Sequence, residues 1–497
     1  MSTAPASHAT ASSNRDHRWL ALLFIGIAEL MVVLDATIVN IALPSAQADL
    51  GFGDEQRQWI VTAYSLAFGS LLLLGGRLSD LFGRKNTFLI GLAGFAGASV
   101  IGGLADSFGM LVAARALQGV FGALLAPAAL SLLTTTFRDP KERGQAFGVF
   151  GAIAGSGAAT GMLLGGALTE YASWRWCLYV NVLFAVVGLI GGVIFIARPP
   201  SVEQRPRIDV PGVLTITAGL VAIVGGFSSA ETDGWSAPLT ISLLVGGLVL
   251  IAVFVVIQSR ASHPLLPLRI LLDRDRSGAF LAIGLVAIGM FALFLFLTYY
   301  LQQTLGFSAM QTGLSFLPMP LSITLSSTQI AARLLPRVGP RILIAVGALL
   351  SAGGMLLLLR TEADSNYWTV VLPALVVAGL GMGLIFTSAM NTATSGVAPQ
   401  DAGVASATVN TMQQIGGSIG TAFLSSVYAS VVASRIDGLG HTASAVEQAD
   451  ATLAAYHAVF TTSAAVLALI AVVSILLMRR HGTRQAERAT ASPDATT

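Results

Sequence analysis

About fourteen apolar stretches, each close to the roughly 20 residues that cross a bilayer, divide this chain of 497 residues, and away from their ends they hold only three charged side chains, Glu29, Asp35 and Arg115. No other feature restricts the fold so tightly. In lipid every backbone N–H and C=O must find a partner within the protein, so separate apolar stretches of this length are read as helices. A charge at the centre of such a helix costs about 2.5–3.5 kcal/mol on insertion scales. Charges kept at that cost usually line a polar path through the membrane, and transport becomes the leading reading.

Composition removes most alternatives. Hydrophobic residues make up 54% of the chain and charged residues 10%, where a soluble domain carries about 25% charged. No aqueous surface could enclose so much apolar chain, so the fold class is an all-α integral membrane protein. The loops then sort by charge. Apart from Arg57, Arg175, Arg360 and Arg435, every Lys or Arg outside the spans falls on one side, which places both termini in the cytosol. An even number of crossings agrees. Residues 1–19 are polar, with no small-residue cleavage site after a short apolar run, so the first helix is expected to be a retained span. Cys177 is the one cysteine and cannot form an internal disulfide. Arginine outnumbers lysine 25 to 2 among abundant Ala and Gly, a usage that suggests a GC-rich bacterium.

Spans are expected over 20–41, 58–77, 87–105, 109–132, 146–169 and 177–197, then 210–230 and 239–258, then 277–301, 310–332, 342–359, 368–391, 403–429 and 453–478. The pattern is six, two, six. A cytosolic tail (1–19) precedes an N-terminal six-helix bundle (20–197), a linker (198–209), an inserted helix pair (210–258) and a second linker (259–276). A C-terminal six-helix bundle (277–478) and a tail (479–497) complete the chain. A weak repeat relates the two bundles. Gly76-Arg-Leu-Ser-Asp80-Leu-Phe-Gly83-Arg84-Lys85 is echoed 256 residues later by Ala332-Arg-Leu-Leu-Pro336-Arg-Val-Gly339-Pro-Arg341. Parallel six-span repeats are how one large class of secondary transporters rocks two halves about a midplane site. All three intramembrane charges fall in the first half, so ionic coupling is expected there, with the second half supplying shape and uncharged polar contacts.

Four passages resemble a known family. Leu34-Asp35-Ala-Thr37-Ile-Val-Asn40-Ile-Ala-Leu-Pro44, the loop Gly76 to Lys85, and Leu111-Val-Ala-Ala-Arg115-Ala-Leu-Gln118-Gly119-Val-Phe-Gly122 are similar to signatures of the fourteen-span drug:proton antiporters of the major facilitator superfamily. The fourth is Gly151 to Gly166, which resembles the antiporter motif of the fifth helix with Met162 where the family usually has proline. The resemblance covers nearly the whole chain apart from the tails. It implies two six-helix bundles with two additional central helices, and proton-coupled efflux of amphipathic drugs or antibiotics.

Depth arithmetic pairs two of the charges. At 1.5 Å per residue, Asp35 lies about 8 Å from the outer face of a ~30 Å core, and Arg115, entering from that face, lies about 8 Å deep. They share a level. One reading is a purely structural clamp, since buried pairs are often that. The other is that Asp35 takes a proton or a substrate cation while Arg115 sets its affinity, with alternating access changing their separation. Glu29 sits near the midplane and is rotated by about 120° from Asp35. It either faces a wide cavity or is a neutral acid hydrogen-bonded between helices. A second acid in the first helix is similar to some proton-coupled multidrug exporters, so Asp35, Glu29 and Arg115 are together the proton-coupling candidates.

The loop holding Gly76, Asp80, Gly83, Arg84 and Lys85 is expected to latch helix ends on the cytosolic side, the bland alternative for the two bases being a positive-inside anchor. Gly157, Gly161 and Gly165 recur every four residues and make a flat packing face, expected against the other half. Asn40, Tyr64, Phe68, Gln118, Phe294, Tyr299, Asn410 and Gln413 are the candidates for a substrate cavity, with Phe291, Tyr300 and Gln414 near them, although more than half of such aromatics face lipid or packed helices.

Enzyme signals fail in context. Gly416-Gly-Ser418-Ile-Gly420 fits a hydrolase elbow but lies in an apolar helix and not on a strand-to-helix turn. Lys85 and Lys141 follow no phosphate-cradling loop, and no His/Cys cluster suggests a metal. The expected protein is a non-enzymatic exporter without cofactor, driven by the proton gradient and working as a monomer. Its partners are an amphipathic small molecule, protons and the bilayer, and no nucleic acid. Export of one endogenous metabolite or natural product, or uncoupled facilitation, is the nearest rival; a channel and a membrane-embedded enzyme fit the repeat and the charges less well.

Overall fold

Helices form the body of each expected span, because each span must satisfy its own backbone. The computed structural model describes residues 7–137, 139–196, 209–261, 264–394, 397, 402–439, 441 and 443–479. The linker expected over 198–209, apart from Asp209, lies outside these residues, as do 1–6 and 480–497 of the expected tails. Within the described residues the first bundle comprises α1 (Ser7–Leu50), α2 (Asp54–Phe82), α3 (Arg84–Gly103), α4 (Phe108–Thr136), α5 (Pro140–Tyr171) and α6 (Trp176–Phe195). The inserted pair is α7 (Val210–Thr232) and α8 (Pro238–Arg260). In the second bundle, α9 (Arg274–Tyr299) continues into a π turn, Tyr300–Thr304. The next rod, α10, is interrupted: Ala309–Phe316, Pro318–Leu325, a π turn Ser326–Ala331, then Ala332–Val338. It is followed by α11 (Pro340–Leu357), α12 (Val371–Thr394), α13 (Ala402–Asp437) and α14 (Ala445–Leu477).

Eleven described helices are long and apolar enough to cross a membrane by length and composition. The remaining rods, α2, α5 and α10, complete the set by their places in the bundles. The charge-poor face, which holds the α1–α2, α3–α4 and α5–α6 turns, is taken as the outer one.

The sequence repeat has a backbone counterpart. Gly83 joins α2 to α3 with φ +87°, and Gly339 joins α10 to α11 with φ +81°. Only glycine enters this region without steric cost, so the two registered glycines allow the same sharp reversal in each half.

In the first bundle α1 packs on α5 and α6, while α4 packs on α2 and α3; in the second, α9 packs on α12, α13 and α14. The inserted helix α7 lies against both α2 and α13, across one seam between the halves. Aromatic rings dock its outer end: Phe227 and Trp235 stand 5.7 and 6.3 Å from Phe423 of α13. At its cytosolic end Asp209 caps α7 by accepting the Gly212 N–H at 2.9 Å. Gln258 accepts the Leu266 N–H, and Arg77 of α2 donates to the neighbouring Pro264 carbonyl at 2.8 Å. The pair is thereby tied to the second half outside and to the first half inside.

One expectation about packing is corrected. Gly157, Gly161 and Gly165 do form a face, but it lies on α1 of the same half, where an added Cβ would meet Val33, Thr37 and Ile38. The neighbouring face of α5, rotated by about 100° per residue, meets the other half. There a Cβ on Gly166 would lie 2.8 Å from the Met310 Cα, and one on Gly313 would run into the Met162 carbonyl.

Candidate functional site

Asp35 and Arg115 meet. The Arg115 Nη1 lies 2.6 Å from Asp35 Oδ2, with the side chains 2% and 0% exposed. Two amides fill the second carboxylate oxygen: Asn181 of α6 donates to Oδ1 at 2.6 Å and Gln118 of α4 donates at 3.0 Å. Gln118 also donates to Ser99 Oγ of α3 at 2.8 Å and accepts from Arg115 at 2.8 Å. Arg115 Nε donates to the Ile60 carbonyl of α2 at 3.1 Å, and its guanidinium lies 4.4 Å from the centre of the Tyr64 ring. Five helices of the first half therefore converge on one carboxylate. A narrow apolar cavity lined by Val39, Leu43, Ile60, Leu111 and Leu178 reaches Arg115 from the outer side.

This arrangement ties the Asp35 carboxylate to two other helices at once. As a carboxylate, Asp35 accepts from three donors; as an acid it must donate one hydrogen itself and surrender at least one of those bonds. Loss of one of those bonds would release a donor carried by α4 or α6. The sequence places Arg115 and Gln118 on one helix face, three residues apart. Asn181 and Ser99 escaped the sequence reading. The available signal was a lone asparagine in an otherwise apolar helix, Leu178-Tyr-Val-Asn181-Val-Leu.

The cavity candidates divide. Tyr64, Phe68, Gln118 and Tyr299 are buried, not exposed on a cavity wall. Tyr64 and Gln118 belong to the Asp35 network, Phe68 packs beside Tyr64 with ring centres 5.7 Å apart, and Tyr299 lies at the outer contact between halves. Asn40 is buried, its side-chain amide donating to the Ala36 carbonyl at 3.0 Å. Phe294 is half-buried against Phe316, and Asn410 and Gln413 are half-buried on α13. Tyr300 is buried, while Phe291 and Gln414 are half-buried. Glu29 is half-buried, about 9 Å nearer the cytosolic face along α1.

The expected loop is reduced to Gly83, and Lys85, in the first turn of α3, donates to the Val193 and Ile196 carbonyls at 2.8 and 2.7 Å. It caps the end of α6, where a helix leaves carbonyls unpaired and favours a cation. Gly83 makes the reversal, Gly76 stands in ordinary contact distance of Pro127, and Arg84 is half-buried. The Asp80 side chain lies outside the described atoms.

On the charge-poor face, hydrogen bonds join the two halves. Tyr299 donates to Gln47 at 2.6 Å, and Gln302 donates to the Ile41 carbonyl at 3.2 Å. Glu170, at the end of α5, accepts the Met310 N–H at 2.9 Å at the start of α10. Ser308, with the Met310 N–H, holds the Glu170 carboxyl below its ordinary range, as expected for an anion at a helix N-terminus. Because its pKa is lowered in the sealed state, this carboxylate favours the seal above the ordinary value of 4.5 and loses that effect as pH falls through the lowered one. Outer-side distances between labels on α5 and α10 are therefore expected to widen on strong external acidification. Glu170→Gln should remove that pH response, and an unchanged response would exclude Glu170 as its source.

Residues 25–421 match the Major Facilitator Superfamily. The chain is 49% identical, over 96% of its length and 95% of the relative's, to the puromycin resistance protein pur8 of Streptomyces alboniger. It is 40% identical to the cephamycin export protein CmcT of Amycolatopsis lactamdurans, covering 85% of this chain and 87% of that one. Among solved structures it resembles an auto-inhibited POT family peptide transporter, with a TM-score of 0.67 at 18% identity over 93% of this chain and 97% of that chain. That likeness concerns the fold.

Proposed function

The chain belongs to the Major Facilitator Superfamily, and from that premise we propose that it exports amphipathic antibiotics or drugs from the cytosol in exchange for external protons, by alternating access. The observation that carries the proposal is Asp35, fully buried against Arg115 and two amides beneath a closed outer seal. A carboxylate so placed reports its protonation to four neighbouring helices. The resistance and export roles named for the puromycin and cephamycin relatives support the substrate class. The energy source is the proton gradient, without a cofactor, and a monomer suffices because the network lies within one half of one chain. Both termini lie in the cytosol, in keeping with the charge asymmetry of the loops.

The test is efflux in inverted membrane vesicles with an imposed pH gradient. Drug accumulation that collapses with a protonophore supports antiport. Accumulation indifferent to the gradient supports uncoupled facilitation, and restriction to one compound supports a dedicated metabolite exporter.

Glu29, offset along α1 from the ion pair, is assigned to substrate charge rather than to the proton. Glu29→Gln is expected to shift preference between cationic and neutral drugs more than it alters coupling. Proton release on substrate binding by the purified variant measures this: release lost in Glu29→Gln and kept in Asp35→Asn would exchange the two roles.

A further inference from the structure

Arg57 is a second buried cation, and the mechanism above does not use it. It lies in the first turn of α2 at the outer side, 2% exposed, and three rings of the other half stand around its guanidinium. The guanidinium carbon stands 4.1 Å from the ring centre of Tyr299, 5.0 Å from Tyr428 and 5.5 Å from Phe296. Phe296 and Tyr299 are three residues apart and share a face of α9, while Tyr428 comes from α13. Behind them Tyr456 packs on Tyr428 at 5.6 Å and Tyr300 on Tyr456 at 5.9 Å. Tyr299 also donates across the seam to Gln47 of α1 at 2.6 Å.

Three ring faces within about 6 Å of one positive charge form an aromatic cage, the chemistry that recognises organic cations through the ring quadrupoles. Cage and occupant lie on different halves. When the outer side opens, α2 must carry Arg57 away from α9 and α13, leaving an aromatic site that faces the exit. We propose that Phe296, Tyr299 and Tyr428 form an outward-facing site for organic cations, quaternary ammonium or phosphonium in type, with Arg57 as a tethered competitor that refills it when the seal closes. Closure then expels the bound cation to the outside. The direction of expulsion rests on the export reading; the binding site itself does not.

The experiment uses purified full-length protein without a gradient and titrates tetraphenylphosphonium by equilibrium dialysis. Arg57→Met keeps the aliphatic stem and removes the tethered charge, and it should bind the probe about tenfold more tightly than the wild type. Arg57→Lys should show no such gain. Adding Tyr299→Leu and Tyr428→Leu to Arg57→Met should abolish the gain, and neutral triphenylphosphine oxide should show none. A gain that survives loss of the two tyrosines, a gain equal for the neutral probe, or no gain at all overturns the proposal. Arg57→Gln gives the same reading if the Met variant does not elute as a monodisperse protein. Failure of vesicle efflux alongside a positive binding result would reject the export reading alone.

Discussion

Replacing Asp35 by Asn is expected to abolish proton-driven export while the protein still inserts and folds. The amide keeps the shape of the carboxylate and can still accept from Arg115 or Asn181, which now lie at 2.6 Å. It cannot gain or lose a proton, and its NH2 group faces donors, so at least one of the three bonds is lost. Efflux driven by a pH gradient should fall to the level of vesicles lacking the transporter, at equal protein content. Normal gradient-driven efflux by this variant would sink the assignment of Asp35. If the pair were only a helix clamp, the variant would be less stable but its folded fraction would still couple drug to protons.

Arg115→Ala should be the more damaging change to the protein itself. It strips a buried carboxylate of its counter-charge, which costs about 3–5 kcal/mol when one partner of a buried pair is removed. It also removes the hydrogen bond to the Ile60 carbonyl and the contact with the Tyr64 ring. Thermal unfolding of the purified protein should show the loss, and transport should vanish with it. The double variant Asp35→Asn/Arg115→Gln separates the two effects. Neutral partners of similar shape should recover most of the stability, because no charge is left buried alone, and none of the coupling. Recovery of coupled transport in the double variant would show that the pair serves packing and that the proton is handled elsewhere.

Lipid made much of this molecule legible without coordinates. Because a bilayer forces each span to satisfy its own backbone, the apolar stretches of the sequence marked where the helices lie, although the interruption of α10 by a π turn was not legible. A fixed rise per residue made depth readable too, and so Asp35 and Arg115 could be set at one level before any contact was known. The registered pair Gly83 and Gly339 was visible for a related reason, since a sharp reversal between helices needs a backbone state that side chains avoid.

Azimuth was a different matter. The direction in which a helical residue points depends on which neighbours pack around it, and in a membrane no polarity difference separates lipid from a packed partner. Hence the glycine face of α5 turned to α1 while Gly166 and Met162 met α10. For the same reason Gln118 and Tyr64 entered the Asp35 network and left the cavity wall, and Asn181 and Ser99 joined it unannounced. By itself the sequence determined the class, the rough extents of the helices and the shared level of Asp35 and Arg115. Only the tertiary structure decided which side chains touch them, and it set Arg57 of one half into an aromatic cage of the other, because contacts between helices far apart in the chain depend on rotation and packing that no local pattern encodes.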